Sequence, residues 1–269
     1  MKSIERGLEK AISERDGRRN HEAQSFLKHW KGKTSDRSKL SAYLVSYLEP
    51  KSLASEQFKR LRTKILRQMK ERMENTILVT SAVKGEGKTT TALNLAISIA
   101  QGLNETVLIM DTDLRKPGVH THLGIEAELG LVDYLRDERS LPDLLVKTEI
   151  PKLTLLPSGI PPENPSDLLA SDRMSMLLHE VKTRYENRFI VLDSSPVNIF
   201  ADTAILAPQM DGVLLVVKDG ATPRDFVLRA VSQLEQSNML GICLNHISAP
   251  DSLMENYYYY YDYEKSDQT

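Results

Sequence analysis

Short apolar runs separated by amphipathic stretches organise the middle of the chain. The runs at residues 76–81, 106–111, 153–157, 189–193, 213–217 and 241–247 lack the in-and-out alternation of a half-exposed sheet and predict strands buried on both faces. Between them, residues 89–101, 131–139, 173–185 and 223–236 carry apolar positions at helical spacing. Strands alternating with helices predict an α/β fold, a doubly wound, mostly parallel sheet with helices on both faces. Ahead of the first strand, residues 55–69 place Phe58, Leu61, Ile65 and Met69 on one helical face. Glu56, Lys59, Arg60, Arg62, Lys64 and Arg67 fall largely off it, as in a helix lying on the domain with a charged outer side. The Pro-rich stretch PSGIPPENP at 157–165 predicts a loop.

The ends read differently. Residues 3–13 set Ile4, Leu8 and Ile12 on one helical stripe behind Ser3, and residues 15–39 are polar and aperiodic, a linker. The expected organisation is an N-terminal extension at 1–50, a domain at 51–250 and an acidic tail at 251–269. With 269 residues, 41% of them apolar, the chain can bury a substantial core. The net charge of −2 gives no global attraction to nucleic acid or anionic lipid, and no nucleic-acid-reading module is visible. That charge is uneven, because the first 39 residues hold eleven Lys or Arg against six Asp or Glu, whereas residues 251–269 hold one against five. The single cysteine, Cys243, excludes an intrachain disulfide framework. No run is long enough to cross a bilayer and MKSIERGLEK is too charged for a signal peptide, so a cytoplasmic location is expected.

Chemistry enters at residues 76–90, TILVTSAVKGEGKTT, a strand feeding a glycine-bearing turn that opens a helix. Gly85 and Gly87 let the backbone turn tightly, so that the N–H groups of Lys84, Gly85, Glu86, Gly87, Lys88, Thr89 and Thr90 converge near the positive end of the helix, a seat for phosphate. Lys88 supplies a mobile positive charge, and the Thr89 hydroxyl is the oxygen such loops offer to Mg²⁺. ATP with Mg²⁺ is the expected ligand pair. Ala82 stands where the strict phosphate-loop pattern has glycine.

Two later strands end in aspartate and, in a parallel sheet, deliver it to the edge that carries the loop. The first, VLIMDTDLRKP, brings Asp111 and Asp113 with Arg115 beyond, and the second, FIVLDSSP, brings Asp193. Asp193 with Asp111, or with Asp113, is expected in the Mg²⁺ shell beside Thr89, and the remaining carboxylate can accept a proton from a nucleophile. Arg115 is a candidate for steadying the transferring phosphoryl group or for an interface.

On these residues the chain resembles the bacterial tyrosine kinases, or BY-kinases, of exopolysaccharide and capsule synthesis, a branch of the deviant Walker ATPases. Three features carry that branch. Val83, rather than lysine, occupies the place of the signature lysine of the partitioning ATPases. The segment SEQFKRLRT is similar to the family's E-x-x-R-x-x-R ring-forming helix, with Glu56, Lys59 and Arg62 in its places. Finally, Tyr257, Tyr258, Tyr259, Tyr260, Tyr261 and Tyr263 gather six of the ten tyrosines in the hydrophilic tail. The resemblance implies autophosphorylation of that cluster in trans within a homo-oligomeric ring, regulating polysaccharide synthesis and chain length. It also implies a separate membrane-bound activator of the chain-length type, a phosphotyrosine phosphatase, and a peripheral position at the inner face of the membrane. Asn245 resembles the family's adenine contact. The sequence departs from the family in having Ser194-Ser195-Pro196 after Asp193 and Lys84 in place of proline. The alternatives are a nucleotide-switched positioning ATPase and a nucleotide-binding scaffold of an export complex.

Overall fold

The computed structural model describes residues 39–70, 74–184 and 187–247. The helix expected at 3–13, nearly all of the polar linker and the tyrosine cluster lie outside those residues. The strands are β1 (Thr76–Ser81), β2 (Thr106–Asp111), β3 (Val146–Lys147), β4 (Leu153–Leu156), β5 (Arg188–Asp193), β6 (Gly212–Lys218) and β7 (Met239–Asn245). They form a seven-stranded sheet in the order β3-β4-β2-β5-β1-β6-β7, parallel except for β3 against β4. The two-residue β3 is too short to leave a periodic signal in the sequence.

Four helices of ten or more residues occur among the described residues: α1 (Leu53–Lys70), α2 (Lys88–Ala100), α3 (Asp172–Thr183) and α4 (Arg224–Gln233). Two expectations are corrected. The helix expected over 131–139 spans only Leu131–Leu135, and Asp137 adopts the left-handed region with φ 65° shortly after it. The last strand begins and ends two residues earlier than expected, and His246, with φ 60°, follows it. The Pro-rich loop gives way at Pro165 to a short helix, Pro165–Leu169, where a proline in the first turn loses no helical hydrogen bond.

The strand β1 is buried along its whole length and separates two apolar layers. On one face Leu78 joins Met174 and Leu177 of α3 and Ala230 of α4. On the other, Ile77 and Val79 join Ile65 and Met69 of α1 and Leu93 and Ile97 of α2. Each large aliphatic side chain removed from water contributes about 1.5–3 kcal/mol, so this double layer fixes the register of the central strands. Val79 pairs with Asp193 and Asp193 pairs with Asp111, which sets both aspartates beside the end of β1. No helix among the described residues is long and apolar enough to cross a membrane.

Candidate active site

The loop from β1 to α2 takes its shape from glycine. Gly85 and Gly87 hold φ of 84° and 85°, the left-handed region that side chains rarely enter. A Cβ on Gly87 would also run into the Asn245 amide. Glu86 turns its carboxylate inward, accepting from the Val83 N–H at 2.7 Å, the Lys218 N–H at 3.3 Å and the Thr222 hydroxyl. Asn245 donates to the Glu86 carbonyl at 2.8 Å, so the residue expected at the adenine braces the loop against the end of β7. Phosphate-loop backbone, β6 and β7 are thereby tied together before any ligand arrives.

Lys88 opens α2 and lies among three carboxylates. Its Nζ is 2.7 Å from Asp113 Oδ2 and 3.5 Å from Asp193 Oδ1, and it donates to Thr89 Oγ1 at 3.3 Å. Thr89 donates to Asp193 Oδ2 at 2.7 Å. Asp111 accepts at Oδ2 from the Gly118 and Val119 N–H groups, both at 3.0 Å, while its Oδ1 is buried without a hydrogen-bond partner. Strand β2 ends at Asp111, so Asp113 lies beyond it and its carboxylate meets Lys88.

Electrostatics follow from this packing. Burial, reinforced by the negative charge of Asp193, pushes the Asp111 carboxyl up to about 8. Burial also raises Asp193, against the pull of Lys88 and the Thr89 hydrogen bond. For Lys88, burial opposes the charge, yet Asp193 and Asp113 outweigh it and raise its pKa. One cation among three buried carboxylates leaves the site short of positive charge, and the unpartnered Asp111 oxygen is where that shortage is visible. An open glycine-bounded loop, the Thr89 hydroxyl held against Asp193, and surplus carboxylate charge fit a magnesium-bound triphosphate.

Arg115 is held more firmly than its sequence position suggests. Its Nε donates to Asp202 Oδ2 at 2.8 Å, and its Nη2 donates to Asp202 Oδ1 at 3.1 Å and Ser166 Oγ at 2.9 Å. Asp202 is fully buried and also accepts from Ser166 at 2.7 Å and Ser195 at 3.2 Å. Sequence reasoning missed Asp202, because an aspartate opening the helical pattern DTAIL reads as an ordinary first-turn residue. Away from the site, on α1, Lys59 pairs with Glu56 at 3.2 Å and Arg62 donates to the Ser98 carbonyl at 2.7 Å. Two of the three residues expected in a ring interface thus pair with one another on α1, and the third ties α1 to α2.

The AAA domain family matches residues 74–237, which defines a phosphate-loop nucleotide-binding domain and covers the sheet from β1 to α4. The tyrosine-protein kinase YwqD of Bacillus subtilis is 36% identical over 210 residues, 77% of this chain and 87% of that protein. Two solved structures superpose with a TM-score of 0.72. One, the chimerical protein CapA2B2, is 30% identical and matches 82% of this chain and 95% of its own. The other, the kinase domain of the Escherichia coli tyrosine kinase ETK, is 28% identical and matches 80% and 85%. The chain belongs to the bacterial tyrosine-protein kinases, and its enzyme class is protein-tyrosine kinase.

Proposed function

We propose that the chain transfers the γ-phosphoryl group of ATP to its own tyrosine cluster, Tyr257 to Tyr261 and Tyr263, from one copy to another. The observation that supports this reading most is the Asp111 Oδ1 atom, a buried carboxylate oxygen with no partner beside the phosphate loop. Of the three aspartates, Asp113 is engaged with Lys88 and Asp193 with Thr89 and Lys88. Asp111 alone has an oxygen free to take the phenolic proton, which it can do only in its ionised fraction, so transfer should quicken as pH rises toward about 8. The phenolate oxygen then bonds to the γ-phosphorus, the bond to the β-bridging oxygen breaks, and ADP leaves with the electron pair. A tyrosine with an ordinary pKa near 10 needs such a base at neutral pH.

The backbone of residues 84–90 and Lys88 bind and orient the phosphates. Thr89 and Asp193 would hold Mg²⁺, which when bound supplies positive charge to the β- and γ-oxygens. Glu86 and Asn245 keep the loop in its binding shape. The kinase domain of 51–250 would work between an N-terminal extension and the acidic acceptor tail. In this reading Glu56, Lys59 and Arg62 leave their present partners to join a ring. A separate membrane protein brings the chain to the inner face of the membrane, and phosphorylation of an already acidic tail favours disassembly and sets polysaccharide chain length. A phosphatase returns the cycle. Val83 in place of the partitioning ATPases' lysine speaks against the positioning reading.

Purified full-length protein incubated with Mg-ATP should carry phosphate on the tail peptide by mass spectrometry, and Lys88→Met should not. A tail without phosphate, from protein that still binds ATP and has been supplied with a membrane activator's intracellular segment, would overturn the reading.

A further inference from the structure

The mouth of the phosphate loop carries an aromatic ring that the phosphoryl-transfer machinery above does not use. Phe200 lies in the turn after β5, where the Val197 N–H donates to the Ser81 carbonyl at 2.9 Å and the Phe200 N–H to the Pro196 carbonyl at 3.2 Å, so the turn is braced against β1. The Arg115 guanidinium stands 4.3 Å from the ring centroid and the Lys84 ammonium 5.3 Å from it. Phe200 therefore joins the two segments that bear the chemistry, the phosphate loop and the Asp111–Arg115 segment. The platform is rigid as well, because Arg115 is locked by fully buried Asp202 together with Ser166.

The surroundings of Phe200 have a definite character. Ile199 is 44% exposed and Phe226 is 45% exposed, and Asn198 donates to the Phe226 carbonyl at 2.8 Å, which ties α4 to the same turn. Lys84 and Lys116 are exposed and Arg115 is partly so. Exposed apolar side chains at Ile199 and Phe226, with cations on the Phe200 ring, suit a ligand that is aromatic and acidic at once. Residues 251–269, DSLMENYYYYYDYEKSDQT, have that composition, with six tyrosines and five acidic residues against one lysine.

We propose that Phe200 is the specificity-determining seat for the acceptor tyrosine, its ring receiving the phenol ring of one residue of the 257–263 segment while Ile199 and Phe226 receive neighbouring rings. The inference rests on the acceptor reading of the preceding subsection. Offset or edge-on contact with Phe200, backed by two cations, rewards an aromatic side chain and gives serine or threonine nothing to stack. Lys84 and Lys116 draw the acidic flanks of the segment, Arg115 being already paired with Asp202, so the site selects the segment by charge and the residue by its ring.

The test compares full-length enzymes acting on an affinity-tagged full-length Lys88→Met chain as acceptor. Phe200→Leu should raise the KM for acceptor about tenfold, the loss expected when a ring contact with cationic support is removed. Its kcat at saturating acceptor and its Kd for ATP should stay within about twofold of the native values, since neither reports acceptor seating. Phe200→Trp should restore the KM. An unchanged KM, a fall in kcat alone, or a weakened ATP Kd overturns the seat. Acceptor left unlabelled by the native enzyme, with its own tail unlabelled too, overturns the acceptor reading and the seat with it. If the native enzyme labels only itself, transfer is within one chain, and equal autophosphorylation rates for native and Phe200→Leu enzyme then overturn the seat.

Discussion

Two carboxylates at opposite ends of the same sheet show how burial can be used in opposite ways. Asp211, just ahead of β6, accepts from the Asn75 N–H at 2.9 Å, the Thr76 N–H at 3.0 Å, the Thr76 hydroxyl at 2.9 Å and the Lys182 ammonium. Burial alone would raise its pKa, but the Lys182 and backbone hydrogen bonds outweigh it and hold the carboxyl below the usual range. Asp111, at the far end of β2, keeps one oxygen bare and is pushed up to about 8. A carboxylate that closes a structure is saturated with donors, whereas one kept for chemistry is left short of them.

The largest effect that separates the two belongs to Asp111→Asn. The amide keeps an oxygen for the Gly118 and Val119 N–H groups and removes a charge that the fold holds with difficulty, so thermal stability should hold or rise. Phosphorylation of the tail should fall by about 10²–10⁴-fold, the range for a lost general base. The sign with pH follows from linkage. Asp111 in the folded chain keeps its proton up to about pH 8, whereas the unfolded chain releases it near the ordinary carboxylate value. The folded state binds more protons across that window, so this group lowers stability as pH rises through it. The Tm advantage of Asp111→Asn over the native chain, read without metal or nucleotide, should therefore grow from about pH 5 to about pH 8. A variant that melts far earlier and still phosphorylates its tail would reverse the comparison.

Asp211→Asn should do the converse. Its loss leaves Lys182 and two strand-start N–H groups with one weaker acceptor, at a cost of about 3 kcal/mol, the upper end for hydrogen bonds to a charged acceptor. That corresponds to a Tm fall of about 6–12 °C in a chain of this size, with phosphorylation below the melting range nearly unchanged. Here the folded pKa is depressed, so the contribution is complete above the ordinary carboxylate range and is lost as pH falls through the folded value. The Tm gap between the native chain and Asp211→Asn should narrow in acid and be widest near neutrality.

The two ends also differed in how much the sequence disclosed. The apolar runs located β1 and β2 to the residue and the phosphate loop announced itself, because backbone geometry there depends on Gly85 and Gly87. Asp111 and Asp193 were legible as strand ends facing the loop. Sequence reasoning could not say which aspartate lacks a partner, since that depends on where the Gly118 and Val119 N–H groups fold back. Nor could it separate Asp202, at a helix start, and Asp211, just before β6, from solvated aspartates. Their importance comes from Arg115 and from Thr76, residues separated from them by 87 and 135 positions. Phe200 was hidden for the same reason, because contacts that close only in the fold leave no spacing to read.

The smallest effect is the most demanding test of the idea that Asp211 is saturated. Lys182 sits at the end of α3 with a side chain 38% exposed, so it is the least committed of the four donors. In Lys182→Met the two backbone N–H groups and the Thr76 hydroxyl remain on the carboxylate. A partly exposed pair of this kind contributes about 1 kcal/mol or less, which corresponds to a Tm fall of about 2–4 °C. If Lys182→Met instead destabilised as much as Asp211→Asn, the backbone donors would count for little. Asp211 would then depend on one counter-ion, as the carboxylates around Lys88 do, and the contrast between the two ends would collapse to a difference in the number of lysines.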